Sequence, residues 1–238
     1  MPTYNNAGTL RDVVERTMRF CNDVIVVNDG CTDSSADILA SFGKKITVVD
    51  YGKNHGKGYA LKKGFEKARE LGFDCAITID SDGQHYPEDI PLFINAFEQH
   101  PNALIVGSRN LNEENMPGKN TFANKFSNFW FKIQTGVKLP DTQTGFRLYP
   151  LKNLPNLKLL TSRYEAELEL LVGAAWRGID IIPIKINVFY PKAGERVSHF
   201  RPFWDFFRIS VLNTLLCILA VVYGLPSRLI RRERRQHD

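Results

Sequence analysis

Short apolar, β-branched runs, several of them halted at once by a polar cluster, constrain this chain more than any other feature. Val24-Ile25-Val26-Val27 stops at Asn28-Asp29-Gly30, Cys75 to Ile79 stops at Asp80-Ser81-Asp82-Gly83, and Ala103 to Val106 runs into Gly107-Ser108-Arg109. Ile46 to Val49 is a further run of the same kind. Helical patterns lie between them. Thr32 or Asp33 can cap a helix through Phe42. Leu61, Phe65 and Ala68 mark one face of a helix starting near Gly58, and Glu88 to His100 reads as another. Apolar strands alternating with helices predict an α/β fold whose sheet is mostly parallel and covered by helices. Such sheets bind ligands at the carboxyl ends of their strands, where these polar clusters fall.

The rest of the chain continues the pattern with two irregularities. Pro2-Thr3-Tyr4-Asn5 has the character of a strand exit, yet the strand that should precede it is missing from the sequence as it stands. Thr121 to Ile133 is helical and unusually aromatic, with Phe122, Phe126, Phe129 and Trp130. Asp141-Thr142-Gln143-Thr144-Gly145-Phe146-Arg147 is a polar loop turning into a strand. A helix from about Ser162 to Trp176 carries Glu165, Glu167 and Glu169, and Ile179 to Tyr190 is a strand region.

A chain of 238 residues that is 43% hydrophobic and 24% charged supports one substantial core and excludes a disordered protein. Its formal charge of +5 is uneven: Arg228, Arg231, Arg232, Arg234 and Arg235 against Glu233 and Asp238 give the tail +3 and leave +2 elsewhere. The basic character belongs to the tail, which points to an anionic surface and away from a nucleic-acid partner. Cys21, Cys31, Cys75 and Cys217 show neither CxxC pairing nor zinc spacing, so a reducing compartment is expected.

Near the C-terminus, Phe200, Phe203, Trp204, Phe207 and Val211 follow helical spacing, with Arg201, Asp205 and Arg208 on another face. Ile209 to Ser227 is then free of charge and, as a helix, close to the length of a bilayer core. A complete span from a cytoplasmic domain would place the arginines outside, against the positive-inside tendency. The expectation is a monotopic or re-entrant anchor at the cytoplasmic face of the membrane, with arginines on anionic headgroups and a bitopic helix as the alternative. The expected division is a catalytic unit over 1–199, lacking its first strand, and an amphipathic, membrane-associated unit over 200–238.

In extended chain, residues two apart share a side, so Asp80 and Asp82 can direct two carboxylates at one spot. Hard cations such as Mg²⁺ or Mn²⁺ favour oxygen ligands of this kind, shared with phosphates. By itself the pair reads more readily as a solvated acidic turn than as a metal site. Gly56-Lys57-Gly58 precedes a helix and could cradle phosphate, although it is no Walker A loop. His55, His85 and His100 lack metal spacing and read as ordinary polar residues.

Taken in order, Pro2-Thr3-Tyr4-Asn5, Val27-Asn28-Asp29-Gly30-Cys31-Thr32-Asp33, Asn54-His55-Gly56-Lys57-Gly58 and Asp80-Ser81-Asp82-Gly83-Gln84-His85 resemble glycosyltransferase family 2. Asp141 to Arg147 resembles the acceptor-side motif of its polyprenyl-phosphate (dolichyl-phosphate) mannosyl- and glucosyltransferase branch. The resemblance extends over roughly residues 1 to 200 and implies a GT-A fold, with a Rossmann-like nucleotide half and an acceptor half. It implies an inverting transfer of a hexose from a UDP- or GDP-sugar to a polyprenyl phosphate or similar lipid acceptor. Pro2, Thr3, Tyr4, Asp29, Lys57 and Asp80 are then expected at the nucleotide. Asp80, Asp82 and Gln84 are expected at a Mg²⁺ or Mn²⁺ ion. Gln143, Thr144, Gly145, Arg147, Arg196, Ser198 and Arg201 are expected at the acceptor, and Asp82, Arg147, Glu167 and Glu169 in catalysis.

Two departures stand out besides the missing strand. Asn28 occupies a position where many relatives carry Asp, and Glu165, Glu167 and Glu169 compete for the family's acidic position. A polyprenyl phosphate, already anionic, needs cations rather than a base. The rival expectations are transfer to a hydroxyl of a lipid-linked glycan and an inactive membrane-bound interaction module.

Overall fold

The computed structural model describes residues 1–109, 118–154, 161–189, 202–224 and 226–227. In chain order the elements are β1 (Pro2–Thr3), α1 (Ala7–Thr17), β2 (Ile25–Asn28), α2 (Ser35–Ser41), β3 (Thr47–Asp50), α3 (Lys57–Glu70) and β4 (Cys75–Thr78). Then follow α4 (Ile90–Gln99), β5 (Leu104–Ser108), α5 (Gly118–Thr135), β6 (Arg147–Pro150), α6 (Ala166–Trp176), β7 (Ile181–Lys185) and α7 (Pro202–Leu219). The last helix continues as a π turn over Ala220–Gly224.

Two sheets result. The first, in the order β1-β2-β3, is wholly parallel. The expected missing strand is represented there by the two residues of β1, with Pro2 opposite Val27 and Thr3 opposite Asn28. The second has the order β4-β6-β5-β7 and is mixed: β6 runs antiparallel to both β4 and β5, and β7 runs parallel to β5. The antiparallel strand is the one that follows the Asp141–Gly145 loop, so that loop enters the sheet from the end where β4 and β5 exit. This reversal is what sets the polar loop opposite the acidic turn.

The helices cover the sheets as their periodicity demands. Leu61, Phe65 and Ala68 of α3 join Leu104, Val106, Phe131 and Tyr149 in the main core. α6 is buried on nearly every side, from Ala166 to Trp176. It is therefore apolar all round apart from its first turn. Phe93 of α4 stacks on Phe146 at 4.3 Å in a second cluster, and α1 and α2 close a third over β2.

The C-terminal helix belongs to the same core. Leu212, Leu216 and Ala220 of α7 and its π turn pack with α6 and α5, and Gln134 Nε2 donates to Asn213 Oδ1 at 2.9 Å. The opposite face is bare: Phe207, Val211, Leu215, Ile218, Val221 and Val222 are exposed. By length and composition the stretch Phe207–Gly224 could cross a membrane, and only 28% of it is buried. The side chains of Phe200, Phe203 and Trp204, and the arginine tail, lie outside the described residues.

Candidate active site

The strand ends of both sheets open into one cleft of about 780 Å³. Its walls include Pro2, Thr3, Tyr4 and Asp29, expected at the nucleotide, and Gln143, Thr144 and Gly145, expected at the acceptor. Lys57, Asp80, Asp82, Gln84 and Glu167 also line it. Most of the residues selected from the sequence are thus brought together.

The acidic segment is a turn and not extended chain. β4 ends at Thr78, Gly83 has φ +75°, and Asp82 Oδ1 accepts from the Gln84 N–H at 3.0 Å. The strand-alternation reason for pairing Asp80 with Asp82 therefore does not hold, and it is a turn that brings both to the one cleft. Ser81, between them, borders the same cleft but spends its hydroxyl on internal hydrogen bonds. It is buried, donates to Thr3 Oγ1 at 3.1 Å and accepts from Asn6 Nδ2 at 2.8 Å. Its carbonyl accepts from Thr9 Oγ1 at 2.6 Å. This fastens the acidic turn to the end of β1, the loop after it and the first turn of α1.

At the floor, Lys57 Nζ lies 2.8 Å from Asp80 Oδ1 and 2.9 Å from Glu167 Oε2. Burial favours a neutral lysine, but the charges of Asp80 and then Glu167 outweigh it and hold the ammonium above its ordinary pKa. Burial likewise pushes Asp80 up, and Lys57, with His85 second, overrides it and keeps the carboxylate below its ordinary range. Gly145 allows this packing, because a Cβ there would stand 2.6 Å from Asp80 Oδ2 and 2.8 Å from Lys57 Nζ. Lys57 arrives at the first turn of α3 through Gly56, whose φ of +98° is open to glycine and which presses on Ser162 and Arg163.

Several residues take other places than expected. Arg147 does not reach the cleft. It is fully buried and donates to Tyr149 Oη at 3.2 Å, the Glu167 carbonyl at 2.8 Å and the Thr142 carbonyl at 2.9 Å. The reason is strand alternation on β6, which turns its side chain beneath the Asp141–Gly145 loop. Glu169 also faces away: its Oε2 accepts from Thr161 N at 3.0 Å and Thr161 Oγ1 at 2.7 Å. Among the three competing acids, Glu165 and Glu167 line the cleft and Glu169 does not. Arg196, Ser198 and Arg201 lie outside the described residues.

Asp29 lines the cleft, yet its carboxylate already accepts from Tyr51 Oη at 2.8 Å and from the N–H groups of His55 and Gly56 at 2.8 and 2.9 Å. It shapes the 51–56 loop that carries Lys57. Asn28 has a local reason as well. It lies opposite Asp50 in the parallel register, and its Nδ2 donates to Asp50 Oδ2 at 2.7 Å while Oδ1 accepts from Cys31 N at 2.9 Å. An aspartate there would face a like charge.

Arg109 and His85 are among the cleft residues that were not selected as site residues from the sequence. Arg109, at the exit of β5, is paired with the buried Asp141 at 2.6 Å. Its position after a strand was visible, but its partner is distant in sequence. His85 is buried with Nε2 3.5 Å from Thr144 Oγ1. Burial pushes its pKa down to about 4, with the Asp80 charge opposing only in part, so the ring is neutral at pH 7.

The donor set fits a divalent cation in part. Asp80, Asp82 and Gln84 offer hard oxygens to one cleft, while among the described residues no three His, Cys, Asp or Glu converge as a ready cage. Such a site suits an ion that completes its shell with phosphate oxygens and water.

The same architecture is found in glucosyl-3-phosphoglycerate synthase from Mycobacterium tuberculosis, solved with Mn²⁺, uridine-diphosphate-glucose and phosphoglyceric acid. It superposes with a TM-score of 0.66 over 92% of this chain and 77% of that one, at 18% identity. The fold is GT-A. Residues 1–153 match the family described as Glycosyl transferase family 2, and the chain belongs to that family. It is 29% identical to the UDP-N-acetylglucosamine–dolichyl-phosphate N-acetylglucosaminyltransferase of Methanococcus voltae, over 80% of this chain and 84% of that protein. It is 28% identical to the undecaprenyl-phosphate mannosyltransferase of Micrococcus luteus, over 82% and 84%. The chain is a glycosyltransferase.

Proposed function

We propose that this protein transfers a hexose from a nucleotide sugar to a polyprenyl phosphate, with inversion, at the cytoplasmic face of a membrane. The observation that carries the reading is the make-up of one cleft. Carboxylates, a lysine and two arginines share it with Ile209 of the apolar helix α7. A water-soluble donor and a lipid acceptor need such a meeting of polar and apolar walls. The relatives named above act, by their names, on dolichyl and undecaprenyl phosphates.

Pro2, Thr3, Tyr4 and the loop held by Asp29 receive the nucleoside, UDP or GDP. Asp80, Asp82 and Gln84 would hold Mg²⁺ or Mn²⁺. When bound, that ion supplies the positive charge that stabilises the departing diphosphate. Lys57, which lines the cleft beside Asp80, is the cation that would face the donor phosphates. Gln143, Thr144 and Gly145 border the acceptor, and Arg109 and Arg163 are cleft-lining cations suited to its phosphate. A phosphate oxygen bonds to the anomeric carbon from the face opposite the diphosphate. The bond to the diphosphate oxygen breaks, and the nucleoside diphosphate leaves with the electron pair. Since the nucleophile is anionic from the outset, Glu167 is not required as a base; it balances Lys57.

α7 lies in the membrane surface as a monotopic anchor, its Leu212 face on the protein and its Val211 face in lipid. The test is an assay of the full chain in membranes with labelled UDP- and GDP-hexoses, Mn²⁺ and polyprenyl phosphate. Labelled lipid that releases its sugar in mild acid is the expected product. Transfer seen only to a hydroxyl acceptor would overturn the reading.

A further inference from the structure

The Asp141 carboxylate is fully buried and is surrounded by donors from separate segments. Arg109 Nε approaches at 2.6 Å and Arg109 Nη2 at 3.0 Å, a side-on, two-bonded pair. The Arg109 N–H adds a contact at 3.3 Å. Asn124 Nδ2 of α5 donates at 2.6 Å, and the N–H of Gln143 at 3.0 Å. Burial raises the carboxyl pKa, and Arg109 with these donors overrides it and holds the group ionised. With no exposed surface and this many donors in place, Asp141 is ill suited to take a proton from a substrate. Its neighbours face the cleft instead. Arg109, Thr142, Gln143, Thr144 and Gly145 all line it, and the Gln143 side chain is exposed.

We propose that Asp141 is a positioning residue for the acceptor. Its one carboxylate clamps the Arg109 guanidinium by its Nε/Nη2 edge and pins the first turn of the Thr142–Gly145 loop through Gln143 N. The cationic wall and the polar wall of the acceptor side are thereby set by a single buried group. The bonds that anchor Thr142 support the same loop from below. Its Oγ1 donates within reach of Ser127 Oγ at 2.7 Å and Asn128 Oδ1 at 2.8 Å, and its carbonyl accepts from Arg147. A lysine at 109 could keep the charge but not the two-bonded edge, so geometry and charge are separable. The inference rests on the acceptor reading above for the identity of the ligand, but not for the existence of the clamp.

The test uses the full chain in detergent with Asp141→Asn, Arg109→Lys, Arg109→Ala and the Asp141→Asn/Arg109→Ala double variant. Asp141→Asn is expected to raise the acceptor KM at least about 10-fold while the donor KM changes less than about 2-fold. Arg109→Lys, which leaves Asp141 in place, is expected to reproduce that split with a Tm close to wild type. Adding Asp141→Asn to Arg109→Ala is expected to raise the acceptor KM by less than about 2-fold more, since the two act as one unit. In ¹H–¹⁵N spectra, the Arg109 Nε–H signal should be shifted downfield and slow to exchange in the wild type. That protection should be lost in Asp141→Asn. Equal rises in donor and acceptor KM, additive effects, or an unchanged Nε–H signal would each overturn the proposal. If the wild type uses only a hydroxyl acceptor, the polyprenyl-phosphate reading fails. The same coupling measured on that acceptor's KM then decides the clamp. Should Asp141→Asn fail to fold, Arg109→Lys still decides it: an unchanged acceptor KM would sink the idea.

Discussion

Lys57 Nζ stands 2.8 Å from Asp80 Oδ1 in the cleft floor, so a residue from the start of a helix neutralises a carboxylate from the exit of a strand. With Glu167 on its other side at 2.9 Å, the lysine is the shared counter-charge of the site. Lys57→Ala leaves two poorly solvated carboxylates facing each other. The expected cost is on the order of 2 kcal/mol in stability, discounted for partial exposure, and a fall of about 100-fold in kcat/KM. Denaturant titration and steady-state kinetics check the two effects separately.

The same pair sets a pH dependence. Asp80 has a lowered pKa in the folded state, so its contribution is present above the ordinary aspartate value of about 3.9 and is lost as pH falls through the lowered one. Lys57 has a raised pKa, so its contribution is present below about 10.4 and is lost as pH rises past the folded value. The Tm difference between wild type and Asp80→Asn should therefore be flat between about pH 5 and 9 and shrink toward strong acid. Thermal melts across that range test it; a difference that grows in acid would contradict the assignment.

Gly145→Ala puts a Cβ 2.6 Å from Asp80 Oδ2 and 2.8 Å from Lys57 Nζ. One of the two must move, at an expected cost of about 1–3 kcal/mol. Activity should fall at least about 10-fold, with donor-dependent Mn²⁺ stabilisation weakened, while far-UV circular dichroism is unchanged.

Glu167 and Glu169 are two residues apart on α6 but are predicted to differ in effect. Glu169→Gln keeps activity within about 3-fold, because that side chain is bound to Thr161 outside the cleft. Glu167→Gln lowers kcat by about 10-fold or more through the loss of its charge beside Lys57. Parallel kinetics on the two variants give the answer directly.

On α7 the two faces should separate membrane binding from folding. Val211→Asp with Ile218→Asp, both on the bare side, is expected to reduce co-sedimentation with anionic vesicles about 10-fold or more with little change in unfolding. Leu216→Asp, on the buried side, is expected to unfold the protein by burying an unpaired charge.

Much of this architecture was legible locally. The runs at Val24, Ile46, Cys75 and Ala103 became β2 to β5 with shifts of a residue or so, because apolar β-branched stretches bounded by polar turns have few other uses. The helix face of Leu61, Phe65 and Ala68 is in the core as its spacing required. What failed was the direction of particular side chains. Arg147 and Glu169 carry the right chemistry at the right place in the chain, but residue parity on β6 and helix phase on α6 turn both away from the cleft.

The amino-acid sequence by itself determined the alternating α/β framework, the ordered motifs of the family and the list of polar residues delivered to the strand ends. Each of these depends on neighbours within a turn or a strand. Only the tertiary structure decided which charges meet. Lys57 with Asp80 and Glu167, and Arg109 with Asp141, are pairs made across long sequence separations. For the second pair, the reversal of β6 against β4 and β5 brings the loop of Asp141 to the strand exit that carries Arg109. Electrostatic pairing and burial act through space, so residues that look alike along the chain acquire different roles once the sheet sets their distances.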